Sequence, residues 1–354
     1  MRKTSIVPLA LAPVVLYLGF WPVPIDPAPW DLAPPPAAEG IWAHNDRLSA
    51  MEILARGKVE GPEDLAWDAE LGVLWSGLHD GRIVRISPDG AEVTTVANTG
   101  GVALGLDLAP DGSLVVADAF KGLLRMDRQS GELTTLSTEE GGRPYKFTDA
   151  PVVGQDGRVW FTDASDTYPQ PQYMLDMLEH RPHGRLLVYD PASGQTNLVV
   201  DQLCFANGVA LNPAEDAVLF NETGRARVMR YWIRGPRAGQ TEVVLDNLPG
   251  YPDNLTADPN GGYWAGLFAP RKAGLESLLR HPFLTKLVVR LPKALMPKAD
   301  RVGMAVQFDD AGRVLRYLED PSGQFSPVTN IEPVDEWLYL GSLHEAALAR
   351  VRRP

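Results

Sequence analysis

The sequence predicts an all-β fold: a six-bladed β-propeller with two helical insertions and an N-terminal transmembrane anchor. From residue 60 onward, a unit of short apolar strands recurs at a period of roughly 40 to 50 residues, the spacing of propeller blades. Turns rich in Asp, Gly and Pro, such as Pro110-Asp111-Gly112 and Gln155-Asp156-Gly157, divide each unit into strands. Ahead of the first unit, the uncharged run from Ile6 to Val23 approaches the span of about 20 residues that crosses a bilayer.

Residues 1–23 are read as an anchor. Arg2 and Lys3 precede the apolar run, so the positive-inside bias places the body on the extracytoplasmic side, periplasmic or lumenal. A cleaved signal peptide is the rival. Ala10-Leu11-Ala12 resembles a cleavage site, but Pro13 follows at once and the apolar run continues. Residues 24–40 are proline-rich and read as a stiff extended spacer. Residues 41–354 form the propeller.

First strands of the six units begin near Asp64, Gly105, Pro151, Val209, Leu255 and Val328. Their partners begin near Val73, Ser113, Val159, Ala217, Gly262 and Trp337. The last unit is short of a fourth strand, which residues 48–54 are expected to supply. Two stretches break the rhythm. Asp166 to His183 places Tyr173, Met174, Met177 and Leu178 at helical spacing, and Arg271 to Leu295 does so with Leu275, Leu278, Leu279 and Leu284. Long insertions on a propeller are expected to form a rim over its channel.

Composition narrows the function. A formal charge of −12 leaves no basic stripe to neutralise phosphates, which argues against nucleic acid as a partner. The same charge suits a site that collects a cation. Cys204 is the only cysteine and reads as a small buried hydrophobe.

Oxygen-bearing residues stand at the heads of four first strands: Glu63, Asp149, Asn207 and the pair Asp253-Asn254. The last pair follows Gly250-Tyr251-Pro252, where proline stiffens the backbone that presents it. Any one of these alone reads as a turn former. One register across four blades reads as convergence on the channel axis, where first strands lie. Carboxylates and amides without imidazole or thiolate suit a hard cation, calcium before other divalent ions.

Gly61-Pro62-Glu63, Ala117-Asp118-Ala119-Phe120, Phe161-Thr162-Asp163, Ala206-Asn207-Gly208 and Gly250-Tyr251-Pro252-Asp253-Asn254, taken in order, resemble the strictosidine-synthase-like family. The likeness is greatest to its membrane-anchored, adipocyte plasma membrane-associated branch. It implies a six-bladed propeller related to calcium-dependent gluconolactonases and paraoxonases. It also implies a channel metal held by Glu63, Asp149, Asn207 and Asp253, with Asn254 beside them. Asp149-Ala150 stands where the family usually has Asn-Asp, which makes the site more anionic. Near Leu104 and Ala119 the histidine pair of paraoxonase-like enzymes is missing. Thr329 falls where strictosidine synthase keeps its condensing glutamate, and a hydroxyl cannot do that acid–base work. His79 and His344 are read as loop and rim residues.

These readings point to a membrane-anchored, calcium-dependent hydrolase of a small lactone or other ester, and not to a strictosidine synthase. Asp253 would act as general base on water, while Tyr251 and the insertions would shape the pocket. The alternative is a non-enzymatic binding module in which calcium only holds the blades together.

Overall fold

The structure, a computed structural model, describes residues 16–354. Six four-stranded antiparallel sheets follow one another around an axis. Blade 1 comprises Ala66–Asp68, Val73–Gly77, Arg82–Ile86 and Val93–Asn98. Blade 2 runs from Ala103–Leu108 to Leu133–Ser137, blade 3 from Thr148–Val153 to Gln195–Leu203, and blade 4 from Ala206–Leu211 to Thr241–Leu245. Blade 5 opens with Gly250–Ala257 and Tyr263–Pro270 and finishes with Gly303–Phe308 and Val314–Asp320. Blade 6 holds Asn330–Val334, Trp337–Gly341 and Leu348–Arg352, and its outermost strand is Glu52–Leu54. The expected closure is therefore present: Glu52 pairs with Arg350 and Leu54 with Leu348.

Inner strands are apolar on both faces because each blade is covered by two others. Leu114–Asp118 and Val159–Asp163 are buried throughout, whereas the outer strand Val93–Asn98 is largely open to solvent. One apolar cluster fills each blade interface. Trp75 and Ile83 of blade 1 meet Leu106 and Val116 of blade 2, and Leu219 and Val228 of blade 4 meet Tyr263 and Val306 of blade 5. Glycine admits the closest approaches. A β-carbon on Gly208 would lie 2.3 Å from the Leu255 nitrogen, and one on Gly341 would lie 2.6 Å from the Glu63 carbonyl oxygen. Neither position has room for a side chain.

Both insertions leave the same end of the propeller, between the second and third strands of their blades. The first carries the helix Tyr173–Glu179, and the second carries Ala273–Leu279 and Pro282–Arg290. Together they form the expected rim. The proline-rich stretch is extended and irregular, as expected, and it is packed over this rim. Ile25 and Trp30 are buried against Tyr168, Leu178 and Leu279. Ala28 N donates to Glu179 O and Trp30 N to Leu279 O, so the strap touches both insertions.

The anchor expected from Ile6 to Val23 lies largely outside the described residues. Residues 16–20 are helical, and among the described residues no helix is long and apolar enough to cross a membrane.

Candidate active site

Four first strands carry a register shift at the channel: between Ala103 and Leu106, Thr148 and Pro151, Ala206 and Val209, and Pro252 and Leu255. A bulge re-aims the residue it contains. In blades 3, 4 and 5 that residue is Asp149, Asn207 or the Asp253-Asn254 pair. In blade 2 it is Leu104, so the same geometry presents an apolar group. Glu63 reaches the channel from the loop just before Ala66–Asp68.

Glu63, Asp149, Asn207, Asp253 and Asn254 are all buried; the first four line one cavity, and Asn254 lies behind them, bonded to Glu63. Asn207 Nδ2 donates to Asp253 Oδ1 at 2.8 Å, and Asn254 Nδ2 donates to Glu63 Oε1 at 2.9 Å. The backbone beneath is clamped as well. Asn221 Nδ2 donates to Asp253 O, Thr223 Oγ1 to Pro252 O, and Thr329 Oγ1 to Glu63 O. Thr329 is thus a positioning residue, with its proton committed to a carbonyl.

Burial raises the Glu63 carboxyl well above its ordinary value, and the charges of Asp253, Asp149 and Asp64 raise it further. Asp149 is raised by burial and then by Asp253 and Asp64. Asp253 is pushed up to about 7 by burial, with the Asn207 hydrogen bond opposing and Asp64 adding to the rise. Each carboxylate makes the next harder to ionise, which is the condition that a cation relieves.

Two buried oxygens, Glu63 Oε2 and Asn254 Oδ1, have no hydrogen-bond partner. Orphaned acceptors beside mutually repelling carboxylates fit a hard cation. Asn207 fits less directly, because its oxygen accepts from Gly208 N and its nitrogen is turned to Asp253. Among the described residues no three His, Cys, Asp or Glu side chains are drawn close enough to grip an ion by themselves. A cation here would have to draw on amide oxygens as well as on the acids.

Above this floor the cavity is apolar. Leu104, Phe147, Tyr173, Met177, Phe205 and Phe268 line it, and Trp30 of the strap closes one side. Tyr251 stands in the wall as expected. Its hydroxyl donates to Glu276 Oε1 at 2.8 Å, and Arg271 grips both oxygens of Glu276. Leu104 and Ala119 pack with Phe147 and Phe205 where a histidine pair was looked for. His344 packs edge-on to Phe268 at the rim, and burial lowers its pKa and that of His79.

The sequence reading missed two layers. A second tier of channel acids ties three pairs of neighbouring blades: Asp64 Oδ2 accepts from Leu106 N, Asp107 Oδ2 from Val153 N, and Glu332 Oε1 from Trp67 N. Asp64 does follow Glu63 directly, but its partner lies 42 residues away and leaves no local pattern. Trp30 in the cavity wall was also missed, since a proline-rich run gives no sign of what it lies on.

A six-bladed propeller with an acidic channel floor beneath an apolar, helix-capped cavity defines the class of protein. Family models for strictosidine synthase and for the strictosidine synthase-like N-terminal region match residues 149–236 and 40–86. The chain belongs to the strictosidine synthase-like family. It is 35% identical to the adipocyte plasma membrane-associated protein of Bos taurus, over 93% of this chain and 85% of that one. It is 33% identical to the strictosidine synthase-like 6 protein of Arabidopsis thaliana, over 87% and 83% of the two chains. Among solved structures, a gluconolactonase from Xanthomonas campestris aligns with a TM-score of 0.63 at 17% identity, covering 94% of this chain and 99% of that one. The calcium-binding protein regucalcin from Agrobacterium tumefaciens aligns at 0.61 and 15%, covering 84% and 92%. These likenesses show the shared propeller.

Proposed function

We propose that the protein is a membrane-associated, calcium-dependent hydrolase of lactones or other small esters. The observation that carries this reading is the set of buried acids, with Glu63 Oε2 and Asn254 Oδ1 unpartnered, at the foot of an apolar cavity. Propellers named as a gluconolactonase and as calcium-binding regucalcin share the fold, and relatives named as plasma membrane-associated support the location. Glu63, Asp149, Asp253 and Asn254 would hold the ion, with Asn207 beside them. When bound, a divalent cation polarises a substrate carbonyl and stabilises the charge that develops on its oxygen.

The remaining work falls to the chain. Asp253 takes the proton from an attacking water, and the Asn207 amide keeps one carboxylate oxygen in place so that the other faces the cavity. Phe147, Phe205 and Phe268 exclude bulk water and hold the apolar part of the ester. Tyr251, locked to Glu276, keeps the wall rigid.

A binding module with a structural ion is the rival, favoured by the Asn254–Glu63 bond that already ties blade 5 to blade 1. Assaying the full-length protein against a panel of lactones and aryl esters, with chelator and with added calcium, separates the two. Turnover that chelator abolishes and calcium restores supports the hydrolase. Calcium binding without turnover on the whole panel leaves the binding module.

A further inference from the structure

Apolar exposure on this molecule is concentrated at one end. Among the described residues, Leu16, Phe20, Trp21, Phe283 and Leu295 are the large apolar side chains with more than half of their surface open, at 59%, 79%, 61%, 59% and 67%. Leu16, Phe20 and Trp21 stand just ahead of the strap, and Phe283 and Leu295 belong to the second insertion, other residues of which line the cavity. The blades carry smaller and scattered exceptions such as Leu71.

Charge is segregated in the same place. Residues 271–301 contain eight Lys and Arg residues against Glu276 and Asp300, a local charge of +6 in a chain of net charge −12. Glu276 is buried on Arg271, and Asp300 is paired with Lys272. Of the strap acids, Asp26 is paired with Arg181 and Lys286 and Asp31 with Arg225, while Glu39 has no ion pair among the described residues; of the cap cations, Arg301 is paired with Glu345. Arg280 and Arg290 instead bond to backbone carbonyls, so their charge stays uncompensated. Lys298 stands exposed at the cavity lip.

We propose that this cap is a docking surface for an anionic lipid bilayer, and that the propeller lies on the membrane with its cavity mouth toward the lipid. Aromatic and leucine side chains among basic residues are the composition that settles at the interface of such a bilayer. The path of the chain agrees. Arg290 holds the carbonyls of Leu18 and Trp21 at 2.8 and 2.6 Å, which fixes the start of the strap to the cap. The residues before it continue the apolar sequence, with Arg2 and Lys3 beyond. The occupant of this face is thus the bilayer, independent of the chemistry in the channel.

The test uses the full chain reconstituted into phosphatidylcholine vesicles with and without phosphatidylglycerol. An environment-sensitive fluorophore is attached at Phe283→Cys, at Leu295→Cys, or at Leu71→Cys on the far side, while the native Cys204 is buried. Emission from positions 283 and 295 should shift to the blue and be quenched by spin-labelled lipid when phosphatidylglycerol is present. Position 71 should stay solvent-like. Arg280→Glu with Lys298→Glu should abolish both signals at 283 and 295. Solvent-like emission at 283 and 295 in every vesicle overturns the proposal. So does equal quenching at 71, which means indiscriminate adsorption. A blue shift in lipid-free detergent that grows with protein concentration also overturns it, since a second copy would then cover the face.

Discussion

Asn254 and Glu63 meet across 191 positions of the chain, the amide nitrogen of one lying 2.9 Å from a carboxylate oxygen of the other. The bond leaves Glu63 Oε2 and Asn254 Oδ1 without partners on either side of it. It tethers two blades at the site and leaves one acceptor on each side unpaired.

Removing one carboxylate should therefore have opposite effects with and without cation. In chelator, Glu63→Gln should melt above the parent, because it relieves the repulsion from Asp253 and Asp149. In excess calcium it should melt below. An ion at a hundred times its Kd adds about 2.7 kcal/mol to a folded state that alone binds it, and the variant loses much of that. Calorimetry showing no calcium binding by the parent would remove the metal from the site.

Asp253→Asn tests the base. An amide still offers an oxygen but cannot take a proton. Hydrolysis should fall by roughly 10²- to 10⁴-fold, while calcium affinity measured by calorimetry falls far less. If turnover is unchanged, Asp253 is not the base.

Thr329 donates its proton to Glu63 O at 2.6 Å and is fully buried. Incubation with an aromatic amine and an aldehyde should accordingly give no condensation product by mass spectrometry. Thr329→Val should cost about 1–2 kcal/mol of stability and weaken calcium binding, since the carbonyl it steadies belongs to Glu63. Condensation by the parent would refute the hydrolase reading.

Asp107 supplies a pH test away from the candidate cation site. Burial pushes its carboxyl up to about 6, with the hydrogen bonds from Val153 N and Leu108 N opposing. A carboxyl raised in the folded state contributes its stability below the unfolded value and loses it as pH climbs through about 6. Between pH 4 and 7 the parent should lose on the order of 1 kcal/mol more than Asp107→Asn does, as read from melting curves in chelator. Parallel curves would show that Asp107 does not titrate in this window.

Much of this was legible in the sequence because propeller blades are local. Each hairpin folds from neighbouring residues, so the turn after Pro110 and the apolar run at Val159 announce themselves. The shared placement of Glu63, Asp149, Asn207 and Asp253 was legible for the same reason, as a repeat in phase. The bulges were not, because a one-residue shift of register leaves no mark in residue type. Asp149, Asn207 and Asp253 were read as standing before their strands, whereas they lie within Thr148–Val153, Ala206–Leu211 and Gly250–Ala257. Bonds between blades were hidden too. Asp107 and Val153 are 46 positions apart, and no local rule joins them.

The seam of the ring has a consequence for how the protein is made. Glu52 waits for Arg350, 298 residues later, before its strand has a neighbour. Throughout elongation, five blades can assemble in order while the strand that seals the sixth remains an open edge. Long-range pairing of this kind is slow, and an unpaired edge invites the wrong partner. An emerging chain halted before Leu348 would present that edge to proteases and to other nascent chains. The ring therefore cannot close until the last blade has been made.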